Sequence, residues 1–174
     1  MDEELVTERC RLRFPTRQDF PHIWSASRVS GFNDGMVWDP PLDMEELEAP
    51  QQRNHDSWAA GLAFTWTIGS RNDGEFIGRI AIRRTEDANE WSIGYWIHPA
   101  LQKRGFASEA AVAVIDFGFS RLDALRITAA HATWNEASGK VLLRAGMKKT
   151  GVNPKGFKKN GSWVEEFEYE ILRG

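Results

Sequence analysis

The spacing of apolar and polar residues predicts a chain that passes repeatedly between strands and helices. Alternating residues, or short apolar runs bounded by turn residues, predict strands over residues 7–14, 63–68, 75–82, 90–97, 126–132, 147–152 and 163–172. Helical spacing predicts helices over residues 16–30, 42–61, about 108–122 and 135–145. This pattern indicates a mixed α/β (α+β) domain in which short turns join antiparallel strands.

Residues with special backbone preferences mark the ends of these elements. Thr16 and Asn135 are suited to begin helices, and Gly146 is suited to end one in a left-handed conformation. Pro50 is expected to divide or kink the second helix. The Asn160-Gly161 pair favours a tight hairpin turn between the last two strands.

The region most informative about function is residues 93–122, where an apolar strand leads into a basic loop and then a helix. Pro99 ends the strand. The loop Gln102-Lys103-Arg104-Gly105-Phe106-Ala107 contains a glycine, which can adopt backbone angles that are unfavourable for other residues. Free backbone N–H groups at a helix N-terminus, together with the helix dipole, favour an anion. The region therefore predicts a phosphate-binding loop.

The residue pattern of this loop is similar to that of a known family. Gln102-x-x-Gly105-x-Ala107 resembles the acetyl-CoA pyrophosphate loop of the GNAT (Gcn5-related) N-acetyltransferases. The flanking Ile93-Gly94-Tyr95-Trp96 and Asn135-x-x-Ser138 are similar to the RimJ/RimL branch. The resemblance implies the GNAT fold: a mixed, mostly antiparallel central sheet of about seven strands, flanked by about four helices and splayed in a V at the cofactor site.

The resemblance also implies that the cosubstrate is acetyl-CoA. Loop N–H groups would hold the pyrophosphate, with added positive charge from Lys103 and Arg104, and Lys140 would face the adenosine 3′-phosphate. The pantetheine arm would lie along the strand before the loop, where Gly94 suggests a bulge. The expected cofactor-binding residues are Trp96, Ile97, Gln102, Lys103, Arg104, Gly105, Phe106, Ala107, Ser108, Asn135, Ser138 and Lys140.

Four side chains are candidates for the chemistry itself. The resemblance places Ser138 near the cofactor sulfur, where it could hydrogen-bond the departing thiolate besides its part in helix capping. Many relatives carry glutamate immediately before the Ile-Gly-Tyr-Trp segment; this chain has Ser92 there, with Glu90 two residues earlier on the same face. His131, in a strand near the presumed cleft, is a further candidate base. A backbone N–H near Trp96 would stabilise the oxyanion.

The apparent lack of a strong base bears on the acceptor. Residues 155–159, where many relatives carry an acid, contain none. A peptide α-amine is about one-tenth neutral at pH 7, whereas a lysine side chain is less than about one-thousandth neutral. The sequence therefore favours an α-amine as acceptor. Trp38 and Trp58, with the acidic residues between 43 and 48, fall in segments that cover the acceptor side in this family.

Charge and composition limit the classes of ligand and partner that are expected. The formal net charge of −3 gives no global electrostatic case for nucleic acid. Residues 140–159 carry seven Lys or Arg and no acid, which we interpret as a solvated face, with nucleic-acid binding as the less favoured alternative. Cys10 is the only cysteine, so no internal disulfide can form. No two histidines have metal-ligand spacing, so no metal is expected.

The length predicts one domain over residues 1–174, and the resemblance implies that it is a GNAT acetyltransferase domain. No apolar run approaches the roughly 18 residues of a membrane span, and the acidic N-terminus does not resemble a signal peptide, so a cytoplasmic protein without a membrane partner is expected. The predicted function is direct acetyl transfer from acetyl-CoA to a primary amine, most simply a protein N-terminus of the ribosomal-protein type. A small-molecule amine acetyltransferase and a catalytically idle acyl-CoA-binding module are the alternatives. A homodimer is left open.

Overall fold

A computed structural model describes residues 3–174 as an eight-stranded mixed sheet with four α-helices. The strands are β1 (Leu5–Val6), β2 (Cys10–Arg13), β3 (Ala63–Ser70), β4 (Phe76–Arg84), β5 (Glu90–Ile97), β6 (Arg126–Ala132), β7 (Lys148–Lys159) and β8 (Ser162–Leu172). The helices are α1 (Phe20–Ser27), α2 (Glu48–Ala59), α3 (Phe106–Arg121) and α4 (Glu136–Arg144). The predicted fold class is confirmed. The eighth strand is β1, whose two residues are too few to produce a readable pattern.

The sheet opens between β5 and β6. Its strand order is β1-β2-β3-β4-β5-β6-β8-β7, and every neighbouring pair is antiparallel except β5 and β6. A parallel pair needs a crossover connection, which α3 provides. These two strands pair only over Glu90–Ser92 and Arg126–Thr128, so β5 continues through Ile97 without β6 as a partner. The two strands thus form the arms of a V.

Helices cover the two faces of the sheet unequally. Successive strand residues point to opposite faces, so Ile80 and Ile82 face one side and Arg79 faces the other. Helix α3 packs closely on the first side, because a Cβ added to Gly118 would lie 2.9 Å from the Ile82 side chain. We call this side the α3 face. Helix α1 lies on the opposite side, which we call the α1 face, with Phe20 and Ile23 in a separate small core.

The N-terminal strands belong to the main core. Cys10 is fully buried and forms no disulfide. Burial raises the pKa of its thiol to about 11. Its backbone N–H donates to the Thr7 hydroxyl at 2.9 Å, which fixes the short turn between β1 and β2.

Two local expectations are wrong. Pro50 does not divide or kink α2, because it lies in the first turn, where backbone N–H groups have no intrahelical partner to lose. Gly94 does not create a bulge, since β4 and β5 keep a regular register through the Ala81–Gly94 pair. The second half of β5 instead lacks a strand partner on one side because β6 diverges after Ser92.

Strand β7 is longer than the predicted residues 147–152. It continues through Pro154 to Lys159. Proline is tolerated because β7 is an edge strand of the sheet and because the register shifts between Asn153 and Phe157. The predicted Asn-Gly hairpin follows, with φ of 49° at Asn160 and 81° at Gly161.

Candidate active site

The loop before α3 presents free backbone donors at a helix N-terminus. Gly105 is the N-cap of α3, with a φ of 85°, in the left-handed region. Lys103 also has a positive φ, of 64°. The Glu109 N–H donates to the Gly105 carbonyl at 3.2 Å, which is the first turn of the helix. The N–H groups of residues 106–108 therefore have no intrahelical acceptor and are available to an anion.

A network from the N-terminus of the chain holds this loop in place. The Glu109 carboxylate accepts hydrogen bonds from the Thr7 hydroxyl at 2.5 Å, the Arg9 N–H at 2.7 Å and Arg9 Nε at 2.8 Å. Burial acts to raise the pKa of Glu109, but these hydrogen bonds hold it below its usual value. Arg9 also donates to the Arg104 carbonyl at 2.9 Å and lies 4.8 Å above the Phe106 ring. The loop is thereby pinned at both sides of Gly105.

The loop's remaining features suit a polar, anionic ligand. The Ser108 hydroxyl is buried and, within residues 3–174, has no hydrogen-bond partner. Gln102 donates to the Ile97 carbonyl at 3.2 Å, which ties the loop to the end of β5. Lys103 and Arg104 are exposed, and so is Lys140 on α4. The donor set therefore fits a pyrophosphate with nearby cations.

Inside the V, a tyrosine joins β5 to helix α4 on the α3 face. The Tyr95 hydroxyl lies 2.9 Å from Ser138 Oγ and donates to the Ser138 carbonyl at 3.0 Å. Asn135 caps α4 as predicted, accepting from the Ser138 N–H at 3.2 Å. Burial raises the pKa of Tyr95 well above its usual value, so the phenol stays protonated. Tyr95 belongs to the segment that carries the family resemblance, yet the pattern alone did not distinguish its role.

Two of the candidate catalytic residues lie on the α1 face. Glu90 accepts from Arg126 at 2.6 Å, and Arg126 also binds Glu170 at 2.7 Å. This ion pair ties up the Glu90 carboxylate at the closed end of the V. Ser92 is half-buried at the last residue of β5 that pairs with β6, opposite Thr128.

Two other candidates lie elsewhere. His131 is buried on the α3 face, with Nδ1 2.8 Å from the Ala132 carbonyl and Nε2 3.3 Å from the Tyr169 hydroxyl. Trp58, expected beside the acceptor, is only 5% exposed and packs in the core against Phe64 and Trp66 at ring separations of 5.1 and 5.2 Å. Its position at the end of α2 turns it toward the sheet, which periodicity alone did not reveal.

Aromatic side chains line the α1 face at the open end of the V. Trp96 on β5 contacts the ring of Phe32 at 5.3 Å, Trp38 at 6.2 Å and Phe76 at 5.7 Å. Phe32 and Trp38 belong to residues 31–41, which we call the acceptor loop. The sequence expectation that Trp38 lies near the acceptor side therefore remains compatible with the geometry.

The acceptor loop is fastened from across the sheet by a lysine of β7. Lys159 Nζ donates to the carbonyls of Met36 at 3.1 Å and Trp38 at 2.9 Å, and it pairs with the Asp39 carboxylate at 2.7 Å. The Lys159 side chain is only 12% exposed. The contact joins the acceptor loop to the β7–β8 hairpin on the α1 face.

A row of carboxylates on β8 was missed by the sequence reasoning. Glu166, Glu168 and Glu170 alternate along β8 and share the α1 face with Glu90, through Arg126. The Glu166 side chain crosses Gly156 of β7, where a Cβ added to the glycine would overlap the Glu166 carboxylate. Glu166 thus places a carboxylate beside the 155–159 segment that lacks one. The alternating glutamates of the last predicted strand were the available signal.

The α1 face also holds a buried ionic cluster. Asp19 is 1% exposed and accepts from Arg13 at 2.6 and 3.2 Å, from the Thr16 N–H at 2.9 Å and from the Thr67 hydroxyl at 2.6 Å. Burial by itself raises the pKa of Asp19, but these hydrogen bonds lower it overall. Arg79 lies beside the cluster, with Nη2 3.9 Å from Asp19.

Neither a metal cluster nor a membrane-spanning helix is present in the described part of the chain. Residues 3–174 contain no cluster of three or more His, Cys, Asp or Glu side chains that could hold a metal ion. No helix in the same range is long and apolar enough to span a bilayer.

Comparisons with known proteins agree with this geometry. The chain is 32% identical over 102 residues to the uncharacterized N-acetyltransferase YnaD of Bacillus subtilis, covering 59% of this chain and 60% of YnaD. It is 37% identical over 109 residues to the uncharacterized N-acetyltransferase YoaA of the same organism, covering 62% of each chain. These matches span about three fifths of the two curated relatives.

The fold has solved counterparts. The structure of RimL, a ribosomal L7/L12 alpha-N-protein acetyltransferase in complex with coenzyme A, superposes with a TM-score of 0.86 at 21% identity, covering 98% of both chains. The family model described as Acetyltransferase (GNAT) domain matches residues 9–148, which include the loop, both arms of the V and the capped helix α4. The chain therefore belongs to the GNAT acetyltransferase family.

Proposed function

We propose that this chain, as a single domain over residues 1–174, transfers the acetyl group of acetyl-CoA directly to an α-amine. The observation that carries the proposal is the divergence of β5 from β6 immediately before the helix N-terminus at Gly105. The divergence leaves main-chain groups of β5 without a strand partner, and an amide-bearing arm can pair with them. The GNAT family match and the coenzyme A in the RimL structure support acetyl-CoA as the donor.

Named residues supply the steps of direct transfer. The amine attacks the thioester carbon, and a β5 backbone N–H near Trp96 stabilises the resulting oxyanion. Collapse of the intermediate expels the thiolate. The Tyr95 hydroxyl stays protonated beside Ser138, and it can turn its O–H from the Ser138 carbonyl to donate a hydrogen bond to that thiolate. No covalent enzyme intermediate is needed, and Cys10 is buried in the core, so it offers no nucleophile.

Glu166 is the base that we propose for the attacking amine. Glu90 is occupied by Arg126 and His131 faces the other side of the sheet, whereas Glu166 is half-buried on the α1 face. Burial and the neighbouring Glu168 raise the pKa of Glu166. A raised carboxyl pKa lies nearer to the working pH, which improves a general base. In this proposal Glu166 takes the proton of the weakly basic α-amine, directly or through one water.

The acceptor class follows from the strength of this base. One half-buried carboxylate can deprotonate an α-amine, whose pKa is about 8, far more readily than a lysine, whose pKa is about 10.4. The RimL neighbour is described as an alpha-N-protein acetyltransferase, which supports a protein N-terminus as the acceptor. The exposed carboxylates near the start of α2 would attract a cationic amine.

A transfer screen tests the proposal. Calorimetry measures acetyl-CoA binding, and acetylation is then measured with free-N-terminus peptides, N-terminally blocked lysine peptides, polyamines and aminoglycosides. We expect the highest kcat/KM with an α-amine peptide. A higher value with lysine or a polyamine would refute the α-amine assignment. Binding without transfer to any amine would instead indicate an idle acyl-CoA-binding module.

A further inference from the structure

One buried cation on the α1 face has no hydrogen-bonded counter-ion. Arg79 of β4 pairs in register with Trp96 of β5. Its side chain is only 13% exposed. Two of its nitrogens, Nε and Nη2, are buried and have no hydrogen-bond partner within residues 3–174. A buried guanidinium normally has its donors satisfied, so these two nitrogens indicate an incomplete site.

Asp19 does not supply the hydrogen bonds that Arg79 lacks. Its carboxylate already accepts four hydrogen bonds, from Arg13, Thr16 and Thr67. The 3.9 Å from Asp19 to Arg79 Nη2 is too long for a hydrogen bond. The remaining charge that acts on Arg79 is that of Arg13, which repels it. Two guanidinium groups around one carboxylate leave a net positive charge of about one in a low-dielectric place.

The position of Arg79 connects this excess charge with the acceptor. Arg79 and Trp96 are cross-strand neighbours on the α1 face, and Trp96 packs against the acceptor loop. Burial lowers the pKa of Arg79 to about 10, which still leaves it charged at neutral pH. The planar fork of an arginine matches a carboxylate with two parallel hydrogen bonds. Only 13% of the Arg79 side chain is exposed, so little water would screen such a pair.

We propose that Arg79 is a specificity residue that binds a carboxylate of the acceptor amine, which rests on the acetyl transfer proposed above. The acceptor class is an α-amine with a carboxylate a few bonds from the reacting nitrogen. That carboxylate has two sources: the side chain of an N-terminal aspartate or glutamate, or the α-carboxylate of a free amino acid. The chemistry at Arg79 is the same for both.

Matched acceptor pairs test the assignment. The tripeptide amides Asp-Ala-Ala and Asn-Ala-Ala differ in one side-chain charge at nearly constant shape, and alanine and alaninamide differ in the α-carboxylate. kcat/KM is measured for all four with the unsubstituted chain and with Arg79→Gln, Arg79→Lys and Arg84→Gln. Arg84 is an exposed arginine of the same strand and serves as the matched control.

We expect the unsubstituted chain to prefer the carboxylate member of one pair by about 10- to 100-fold. The acceptor pair that shows this preference identifies the source of the carboxylate, which is either a side chain or the α-carboxylate of a free amino acid. Arg79→Gln should remove that preference while changing the uncharged member little, Arg79→Lys should retain part of it, and Arg84→Gln should retain all of it. Equal losses for both members in Arg79→Gln would refute the assignment and make Arg79 a structural cation.

The measurements on the unsubstituted chain test the assignment of Arg79 even if the Arg79 variants do not fold. If the unsubstituted chain shows no carboxylate preference in either pair, the assignment of Arg79 is wrong by itself. If the chain transfers acetyl to no amine, the proposed acetyl transfer is wrong and the assignment falls with it. Transfer to neutral acceptors alone separates the two cases, because acetyl transfer then stands without a carboxylate site.

Discussion

The cofactor loop and the acceptor side are built in opposite ways. Around the loop, the charged side chains satisfy one another: Glu109 takes three hydrogen bonds from Thr7 and Arg9, and the free groups are backbone N–H groups and the Ser108 hydroxyl. On the α1 face, a charged side chain itself keeps free donors, because two nitrogens of Arg79 have no hydrogen-bond partner within residues 3–174. A rigid backbone cradle suits a donor that never changes. Unpaired side chains suit an acceptor whose identity they select.

The largest effect is expected where the acceptor side depends on one carboxylate. Asp19→Asn removes the counter-charge of half-buried Arg13 and of the more deeply buried Arg79, so the free energy of unfolding should fall by about 3–5 kcal/mol. Denaturant unfolding measures this. The matched control is the exposed Asp116→Asn on α3, for which we expect a change within about 0.5 kcal/mol. Similar small losses in both would show that the cluster does not depend on Asp19.

The same residue predicts a pH dependence. The folded-state pKa of Asp19 is lowered, so its contribution to stability is present above the unfolded pKa of about 3.9. That contribution is lost as the pH falls through the lower folded value. Acid unfolding of the unsubstituted chain should therefore include a component that Asp19→Asn lacks. Parallel stability curves for the two chains would contradict this.

Acetyl-CoA binding should depend strongly on Gly105 in the loop before α3. Gly105→Glu places a carboxylate where the anion binds, so acetyl-CoA affinity should fall by about 1,000-fold. Gly61→Glu is the matched control: its φ is also positive, at 67°, and an added Cβ would contact nothing within 4 Å. Calorimetry with both variants separates backbone strain from the site. Unchanged affinity in Gly105→Glu would refute the assignment of the loop.

A smaller effect should mark the proposed base. Glu166→Gln should lower kcat/KM by about 100-fold and remove the acidic limb of the pH profile, which in the unsubstituted chain lies above the usual glutamate range because the pKa is raised. A carboxylate with a raised folded pKa destabilises the fold once it ionises, so the variant should also be more stable at pH 7. Glu165→Gln, on the other face of β8, is the control. An unchanged pH profile in Glu166→Gln would exclude it as the base.

The smallest effect is expected within the V. Ser138→Ala keeps the backbone N–H that Asn135 caps, so folding and acetyl-CoA affinity should be nearly unchanged. kcat should fall by roughly three- to tenfold, since one hydrogen bond to the developing thiolate is lost while Tyr95 remains. Ser120→Ala on α3 controls for serine removal. Equal kcat in both variants would restrict Ser138 to a packing role.

Local chemistry explains what the sequence could reveal. The loop, the N-cap at Asn135, the C-terminal Gly146 and the Asn160-Gly161 turn each depend on backbone geometry within a few residues, and the structure confirms all four as backbone features. Element boundaries were less predictable at β7, because tolerance of Pro154 depends on its being an edge strand, which is a property of the whole sheet.

Contacts between distant segments explain what the sequence could not reveal. Thr7 and Arg9 meet Glu109 about a hundred residues later, and Glu166 fills space beside Gly156 across a hairpin. The spacing of apolar and polar residues within one segment contains no information about such contacts between distant segments. Trp58 failed as an acceptor-side residue for the same reason, since a helix pattern gives its spacing but not the neighbour that it faces.

The burial of Cys10 has a consequence for thiol chemistry. Each turnover of the proposed reaction releases coenzyme A with a free thiol, and mixed disulfides form through an accessible thiolate. With no exposed surface and a pKa of about 11, Cys10 is ionised to only about one part in ten thousand at pH 7. The protein therefore offers no partner to its own product. A cysteine introduced into the acceptor loop would be the single reactive thiol, ready to carry a probe over Trp96.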